Sequence, residues 1–331
     1  MRWIVPKIGH DERLFPKNLL NDTNALHEHR TRIAQELLEK FQKFQFSNES
    51  ADIEIRVVAS DRGYNFLHQT VIFLREQQSL SNYHLSICNV ESEIFPDLRR
   101  FEKLEIPIFT VREGSEKGKN LNSTIEKENN DYWKCLGLET KSRYILLIED
   151  DSIVVPEFSD LLNSLISKLD FNQKIDFVKL YHPKYLRKTP SLVLTIIISI
   201  VISFFSCFAV QPVFQKFPSI TFLILSIFLY FSIRSYGPQF PADVRFQLTG
   251  SAYISTFESC CTQAVIFRAS SVGQMLEYFK GTIAYSGHAK DHILDESPFT
   301  GRQTDLNYVI HVGSFSSVRN RLVYLADWLD I

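Results

Sequence analysis

The spacing of hydrophobic and polar residues predicts alternating strands and helices on both sides of a long apolar block. Charged and apolar residues at helical spacing from Ala25 to Phe46 predict a leading helix. Short apolar runs then predict strands at residues 52–59, 83–90, 106–111, 142–148, 175–180 and 263–268. Helical patterns cover residues 66–77, 121–136, 161–169 and 271–280. Helices of this length between apolar strands predict an α/β domain with a mostly parallel sheet covered on both faces.

The apolar block consists of two uncharged runs, one between Lys188 and Lys216 and the next from Phe217 to Ile233. A helix that crosses a membrane needs about 20 apolar residues. The two runs therefore predict a transmembrane hairpin with helices at about residues 190–210 and 217–233. The alternative is a pair of hydrophobic helices buried in a soluble core. Neither run contains an Asp, Glu, Lys, Arg or His side chain, which argues against a channel or a transporter.

The hairpin returns the chain to the compartment that it left, so we expect both flanking segments to form one interrupted domain. The expected segments are a helical lead-in (1–50), a first part (51–188), the hairpin (189–234) and a second part (235–331). Lysines and arginines flank the hairpin and favour a cytosolic position for the flanks. A lumenal position requires an entry signal, and Met1–Lys7 does not have the pattern of one. One expectation is therefore that the gene model lacks an upstream membrane span.

Composition and charge narrow the class of protein. The 331 residues include 36 Lys and Arg and 38 Asp and Glu, which gives a net charge of −2. This balance predicts no nucleic-acid partner, because such proteins need a basic excess. With 45% hydrophobic and 22% charged residues, the chain is not a disordered protein.

Three adjacent carboxylates, Glu149, Asp150 and Asp151, directly follow the predicted strand at 142–148. Sheets of this class bind ligands beyond the carboxyl ends of their strands. Adjacent carboxylates repel one another, and divalent ions such as Mn²⁺ prefer oxygen ligands and often accompany phosphates. The triplet therefore indicates a metal–diphosphate site, with a solvated acidic turn as the alternative.

Two further residues carry candidate chemistry. His311 ends an apolar run and precedes a glycine and a serine, so it can complete a metal site or make a structural hydrogen bond. Asp291 precedes an apolar patch and can act as a general base toward a hydroxyl group or as a helix cap. The residues alone leave both pairs of alternatives open.

Several pieces of the sequence resemble known glycosyltransferases. Tyr144-Ile-Leu-Leu-Ile-Glu-Asp-Asp-Ser-Ile-Val, Asp176-Phe-Val-Lys-Leu and His311-Val-Gly-Ser-Phe-Ser-Ser resemble metal-dependent enzymes of the A-type (nucleotide-diphospho-sugar transferase) fold. The first and last pieces are similar to the N-acetylglucosaminyltransferase IV family. The inserted hairpin, together with Cys260-Cys-Thr-Gln-Ala264 and Lys290-Asp291, resembles the post-GPI-attachment N-acetylgalactosamine transferase family. That family splits its catalytic domain with a tandem transmembrane insertion.

This resemblance, which covers about residues 50–320, implies roles for individual residues. It places Mn²⁺, or another divalent cation, on Asp151 and His311. It places Asp291 at the acceptor hydroxyl as the base in a single inverting displacement that releases UDP. The donor-binding and nucleotide-binding residues that it implies are Ser60, Asp61, Arg62, Asn89, Glu91, Glu149 and Asp150.

The implied reaction transfers N-acetylgalactosamine from UDP-GalNAc to a mannose of the GPI anchor, with GPI-anchored proteins as acceptors. The implied location is a multi-pass Golgi membrane glycoprotein whose catalytic parts lie in the lumen. One alternative is an N-acetylglucosaminyltransferase that acts on N-glycans. A second alternative is a catalytically inactive membrane scaffold of the same fold.

The cysteines also bear on location. Cys207 lies in the first apolar run, and the other four cysteines allow three pairings. Disulfides form in an oxidising lumen and not in the cytosol. The expected bond joins Cys135 to either Cys260 or Cys261.

Overall fold

The computed structural model describes residues 11–42, 51–78, 80, 82–111, 121–183, 192–209, 218–236, 240–258, 260–313, 315–316 and 321–322. The chain divides into two compact units. The described residues from Pro183 to Thr249 belong to the smaller unit, and the other described residues belong to the larger unit. The expected boundaries after residues 50 and 188 lie outside the described residues.

The larger unit contains an eight-stranded sheet and two further strand pairs. The strands of the sheet are β1 (Ile53–Ala59), β2 (His84–Asn89), β3 (Ile108–Thr110), β4 (Tyr144–Glu149), β6 (Phe177–Lys179), β7 (Ile254–Ser255), β8 (Ala264–Arg268) and β9 (Gly301–Thr304). Their order across the sheet is β3-β2-β1-β4-β8-β6-β9-β7. The two pairs are β5 (Ser152–Val154) with β10 (Val309–His311), and β11 (Phe315–Ser316) with β12 (Arg321–Leu322).

Seven helices accompany the strands in the described part of the larger unit. They are α1 (Thr23–Phe41), α2 (Phe66–Gln78), α3 (Pro96–Arg99), α4 (Leu121–Leu136), α5 (Phe158–Phe171), α9 (Ala269–Phe279) and α10 (Lys290–Asp295). A single 3-10 turn covers Glu102–Leu104. The first helix begins where the Asp22 side chain accepts hydrogen bonds from the N–H groups of Asn24 and Ala25, as a helix cap does.

The sheet is mixed, and its first half, which consists of β3, β2, β1 and β4, determines where the site lies. β1 pairs in parallel with β2 and with β4, and β2 pairs in parallel with β3, so these four strands end at the same edge. β8 follows the apolar block in sequence and inserts antiparallel between β4 and β6. The mostly parallel sheet that we expected therefore holds for the first half, whereas the second half is mixed, because β9 is parallel to β6 but antiparallel to β7.

The core of the larger unit packs around β4, all of whose residues are buried. Helices α4 and α9 cover one face, where the rings of Trp133 and Phe279 stack with centroids 3.9 Å apart. Each apolar side chain buried in such a core stabilises the fold by about 1.5–3 kcal/mol. The core therefore fixes the position at which β4 ends and the acidic triplet begins.

The disulfides differ from the expected pairing. Cys88, in β2, is bonded to Cys135, in α4, across 5.8 Å between the Cα atoms. Cys260 is bonded to its neighbour Cys261. The expected bond from Cys135 to Cys260 or Cys261 is therefore wrong, because Cys135 packs in the same buried cluster as Cys88.

The smaller unit consists of α6 (Leu192–Ala209), α7 (Pro218–Tyr236) and α8 (Phe240–Thr249). Helices α6 and α7 pack against each other, and residues 210–217, between them, lie outside the described residues. Among the residues that the structure describes, no helix is both long and apolar enough to cross a membrane. The structure thus gives a helix pair where we expected a transmembrane hairpin.

Candidate functional site

The acidic triplet meets the loop after β1 at the carboxyl ends of two neighbouring parallel strands. The N–H and the hydroxyl of Ser60 both donate to Asp150 Oδ2, over 2.9 and 3.2 Å. The guanidinium of Arg62 lies 3.1 Å from Asp150 Oδ1 and 2.7 Å from Asp151 Oδ2. The structure therefore brings together four of the residues that the sequence singled out, on the side where such sheets bind ligands.

His311 reaches the same cluster from the other end of the chain. The pairing of β10 with β5 places His311 opposite Ser152, one residue after Asp151. His311 Nε2 lies 3.2 Å from Asp151 Oδ2, and the N–H of Val312 donates to the carbonyl oxygen of Asp151 over 2.7 Å. The two residues named as metal ligands from the sequence are thus in contact.

The space around Asp151 depends on Gly313. A Cβ atom at this position would lie 2.1 Å from Asp151 Oδ2 and 3.0 Å from His311 Nε2. Asp151 Oδ1 is buried and accepts no hydrogen bond within the described part of the chain. Asp151 thus has one oxygen without a donor and the other 3.2 Å from His311 Nε2, and a carboxylate beside an imidazole is a donor set that fits a divalent cation such as Mn²⁺.

The described residues place one carboxylate, Asp151, and one imidazole, His311, in contact at this position. Across the described ranges of the chain, no group of three or more His, Cys, Asp or Glu side chains is arranged to hold a metal ion. Hard divalent cations commonly complete their coordination with water and with the phosphates of a substrate.

Glu149, the first member of the triplet, faces a second set of charges. It accepts a hydrogen bond from the hydroxyl of Thr262 over 3.0 Å. Lys290 Nζ lies 3.1 Å from Glu149 Oε1 and 2.6 Å from Glu128 Oε1. Lysine 290 therefore links β4 to α4 at the site.

Sequence reasoning did not assign Thr262, Lys290, Glu128 or Gly313 to the site. Lys290 and Gly313 adjoin residues that were assigned, so their positions in sequence carried a signal. Glu128 lies in α4 at helical spacing from the buried Ile125 and Tyr132 and carried none, because charged residues of a helix are usually solvated.

Asp291 lies next to Lys290 at the start of α10. Its Oδ1 is 3.2 Å from His292 Nδ1, and its side chain is 26% exposed. Burial alone would raise the pKa of Asp291, but the neighbouring His292 lowers it below the ordinary value. The carboxylate is therefore ionised at neutral pH, the form that accepts a proton.

Asp61, Asn89 and Glu91, the other residues predicted to bind the donor, lie at the same edge of the sheet, but hydrogen bonds join them to nearby residues outside the acidic triplet. The Asn89 side chain accepts from the N–H of Glu91 over 3.0 Å and donates to the Thr110 hydroxyl over 3.2 Å. Asp61 accepts from the N–H of Gly63 over 3.3 Å and is exposed. None of these three contacts involves the acidic triplet.

Burial and neighbouring charges shift the pKa values of Asp150 and Asp151 in opposite directions. Burial raises the pKa of Asp150 to about 6, although Arg62 opposes this change. Burial would also raise the pKa of Asp151, but Arg62 and His311 together hold it below its ordinary value. Burial lowers the pKa of His311, but the Asp151 carboxylate outweighs burial and raises it. Asp151 is consequently the carboxylate that keeps a full negative charge.

Comparison with known proteins adds a family and a distant structural match. The family model described as GPI-N-acetylgalactosamine transferase PGAP4 matches residues 53–312. Among solved structures, the chain is similar to the mannosyltransferase PcManGT from Pyrobaculum calidifontis, in complex with GDP-Man and Mn²⁺, with 11% identity and a TM-score of 0.27. That match covers 51% of this chain and 48% of the mannosyltransferase chain, so it spans about half of each. The family match runs from β1 to just beyond His311.

Proposed function

Because the chain belongs to the GPI-N-acetylgalactosamine transferase family, we propose that this glycosyltransferase moves N-acetylgalactosamine from UDP-GalNAc to a mannose of the GPI anchor. The observation that carries the proposal is the convergence of Arg62, Asp151 and His311 on one buried cluster. The cluster combines a cationic side chain, an ionised carboxylate and an imidazole where open α/β sheets bind their ligands. The guanidinium can bind the phosphate oxygens of a sugar nucleotide directly, and the carboxylate and the imidazole can bind them through a divalent cation.

The donor binds along the ends of β1, β2 and β4 in this proposal. Arg62 is 25% exposed and carries a permanent positive charge, so it can exchange its carboxylate contacts for phosphate oxygens. Asn89 ends β2 and Glu91 follows it at the same edge, and both would contact the nucleoside. Lys290 and Thr262 hold Glu149 in place, so that its carboxylate can accept hydrogen bonds from the donor sugar.

Asp151 and His311 would hold the divalent cation, for which we propose Mn²⁺. Two features support this assignment: the buried Asp151 Oδ1 that accepts no hydrogen bond within the described residues, and the space that Gly313 leaves open. A bound cation would stabilise the negative charge on the departing diphosphate. Before it binds, Arg62 neutralises the same carboxylate.

Asp291 acts as the general base toward the acceptor. The acceptor hydroxyl attacks C1 of the donor sugar from the side opposite the diphosphate, and the bond from C1 to UDP breaks. Asp291 takes the hydroxyl proton, which its lowered pKa allows because the carboxylate is ionised at neutral pH. A single displacement of this kind inverts the configuration at C1.

We also propose that the helix pair of the smaller unit is covered by lipid at the Golgi membrane, with the larger unit in the lumen. In α6, Thr195, Ser199 and Ser203 are buried, whereas Val193 and Phe205 are 64% and 65% exposed. Small polar residues between helices and apolar residues outside are typical of packing in lipid. The Cys88–Cys135 disulfide in the other unit supports an oxidising compartment.

The proposal is tested by restoring the reaction in cells that lack the N-acetylgalactosamine side chain of GPI anchors. The wild-type chain should add one N-acetylhexosamine to the GPI glycan, as measured by mass spectrometry. The Asp151→Ala variant should add none. Asp160→Ala is the matched control, because Asp160 is an exposed aspartate in α5, outside the site, and it should behave as the wild type does.

Each alternative function gives a different result in the same cells. A gain of N-acetylglucosamine on N-glycans, with unchanged GPI glycans, would identify the N-glycan enzyme. No change in either glycan, from a chain located in the Golgi, would contradict transfer. Calorimetry with UDP and Mn²⁺ would then identify a scaffold if neither ligand bound.

A further inference from the structure

Three rings form a row that ends at Asp291. The rings of Tyr285 and His288 stack with centroids 5.1 Å apart and an interplanar angle of 24°. The rings of His288 and His292 follow with centroids 6.2 Å apart and an angle of 36°. His292 Nδ1 is 3.2 Å from Asp291 Oδ1. Successive ring faces therefore lead to the carboxylate that we assign to the acceptor hydroxyl.

A tight turn holds the first two rings in register. The N–H of Tyr285 donates to the carbonyl of His288 over 3.0 Å, and the N–H of His288 donates back over 2.9 Å. Gly287, inside the turn, has a φ of +90°, which favours glycine. His288 Nε2 also lies 3.1 Å from Glu296 Oε2, at the end of α10. The rings are thus fixed by the backbone as well as by their own contacts.

The same turn is attached to α4. The N–H of Ser286 donates to Asn122 Oδ1 over 3.0 Å, and the N–H of Ala284 donates to Glu126 Oε2 over 2.5 Å. Further along α4, Glu128 binds Lys290 and so connects with the acidic cluster. Six residues separate positions 122 and 128, which is about 9 Å along a helix. The row therefore extends from the acidic cluster along α4 toward its N-terminal end.

The ring row remains open to solvent despite this support. Tyr285 is 52% exposed, and the side chain of His292 is 43% exposed. Ile283, just before the turn, is 72% exposed and adds an apolar neighbour. Aromatic rings that are fixed yet exposed beside a reactive carboxylate are typical of binding sites, where ring faces and a few polar groups orient a ligand. A hexose suits such a surface, because its C–H face packs on rings and its hydroxyls bind imidazole nitrogens.

We propose that Tyr285, His288 and His292 form the acceptor subsite, on which a sugar ring of the acceptor glycan packs with its hydroxyl directed at Asp291. The proposal rests on the glycosyl transfer proposed above. The occupant is the acceptor and not the donor. Arg62 and Asp151, which we assign to the diphosphate of the donor and its cation, lie in the acidic cluster, and the ring row extends away from that cluster.

The test compares Tyr285→Ala with Tyr285→Phe, which retains the ring, and with Tyr253→Ala. Tyr253 is the matched control, since it is 58% exposed and bonds through its backbone to Asp305, outside the row. For Tyr285→Ala we expect the acceptor KM to rise about tenfold, as the loss of one stacked aromatic contact implies. The donor KM and UDP binding should stay unchanged. Tyr285→Phe should recover most of the loss, and Tyr253→Ala should show none.

A second readout needs no donor and no transfer. Saturation-transfer NMR with a mannose oligosaccharide should show contact with the wild-type chain and a much weaker signal with Tyr285→Ala. An unchanged acceptor KM and NMR signal in Tyr285→Ala would overturn the subsite while leaving the transfer reaction intact. A parallel loss of UDP binding would also overturn it, because the row would then belong to the donor. If the wild type transferred no sugar, the proposed function would fail, and the NMR signals would still decide on glycan binding by the row.

Discussion

Arg62 Nη1 lies 2.7 Å from Asp151 Oδ2, so one guanidinium neutralises the carboxylate that we assign to the divalent cation. The Asp151 side chain is only 3% exposed, and an unpaired charge at that depth destabilises a fold strongly. A cation held by Asp151 would replace Arg62 as the counter-ion of this carboxylate. The guanidinium could then bind phosphate oxygens, and cation binding would be coupled to donor binding.

We expect Arg62→Ala to lower the free energy of unfolding by about 3 kcal/mol without metal, because two buried carboxylates lose their counter-ion. Added Mn²⁺ should stabilise the variant more than it stabilises the wild type, since the cation no longer competes with a side chain. Urea unfolding with and without Mn²⁺ measures both quantities.

The control for Arg62→Ala is Arg143→Ala. Arg143 also pairs with two aspartates, Asp52 and Asp170, but its side chain is 50% exposed. Exposed pairs contribute about 0–1 kcal/mol. Equal losses in the two variants, or equal stabilisation of Arg62→Ala and the wild type by Mn²⁺, would refute the coupling.

The elements that the sequence predicted well are those that depend on local pattern. The run at residues 142–148 became β4 at Tyr144–Glu149, and the helix expected at residues 121–136 is α4. The acidic triplet could also be placed at a strand end, because the four residues before it, Ile145 to Ile148, are all apolar. Periodicity and burial within a short window were sufficient for these elements.

Contacts between segments that are distant in sequence could not be predicted from patterns within a short stretch of residues. β8 lies antiparallel between two strands that precede it by many residues, and no local signal specifies this insertion. The Cys88–Cys135 disulfide depends on the packing of α4 against β2, which spacing does not reveal. The approach of His311 to Asp151 was implied only by the family resemblance, since 160 residues separate them.

Gly313→Ala tests whether the space beside Asp151 serves activity. The added Cβ would lie 2.1 Å from Asp151 Oδ2, so the carboxylate and His311 must move. We expect the variant to fold but to lose at least about 90% of its transfer activity and to bind Mn²⁺ more weakly, because misplaced catalytic groups cost about 10²-fold or more in rate. Transfer assays and calorimetry with Mn²⁺ measure the two effects.

Gly273→Ala is the matched glycine control. Gly273 lies in α9, and a Cβ there meets no atom within 4 Å. Alanine favours a helix over glycine by about 1 kcal/mol, so this variant should be fully active and slightly more stable. Full activity in Gly313→Ala would show that Asp151 does not require the open space.

Lys290→Met tests the link between α4 and the acidic triplet. The change leaves Glu128 and Glu149 without the ammonium group that lies 2.6 and 3.1 Å from them. We expect a loss of about 3 kcal/mol in the free energy of unfolding, because the buried carboxylate of Glu149 loses its ion-pair partner. Adding Glu128→Gln should recover part of this loss, with a coupling energy above about 1 kcal/mol in a double-mutant cycle. Strictly additive changes would mean that the two side chains do not depend on each other.

His68 gives the fold a dependence on pH that is separate from the site. It lies in α2 with no exposed surface, and neither ring nitrogen has a hydrogen-bond partner within the described residues. Burial, with a smaller contribution from Arg100, lowers the pKa of His68 to about 4 from an ordinary value of 6.5. Between these values the unfolded chain binds the proton and the folded chain does not. The stability that neutral His68 supports is therefore complete above pH 6.5 and is lost as the pH falls toward 4.

We expect His68→Phe to remove this dependence, because phenylalanine retains a ring of similar size beside Phe101 and takes up no proton. Between pH 7 and pH 5 the wild type should lose about 2 kcal/mol more of its free energy of unfolding than the variant. Urea unfolding of both proteins at the two pH values measures this difference. Parallel losses in the two proteins would assign the acid sensitivity to other groups, whereas a smaller loss in the variant would show that burial keeps His68 neutral in the folded chain.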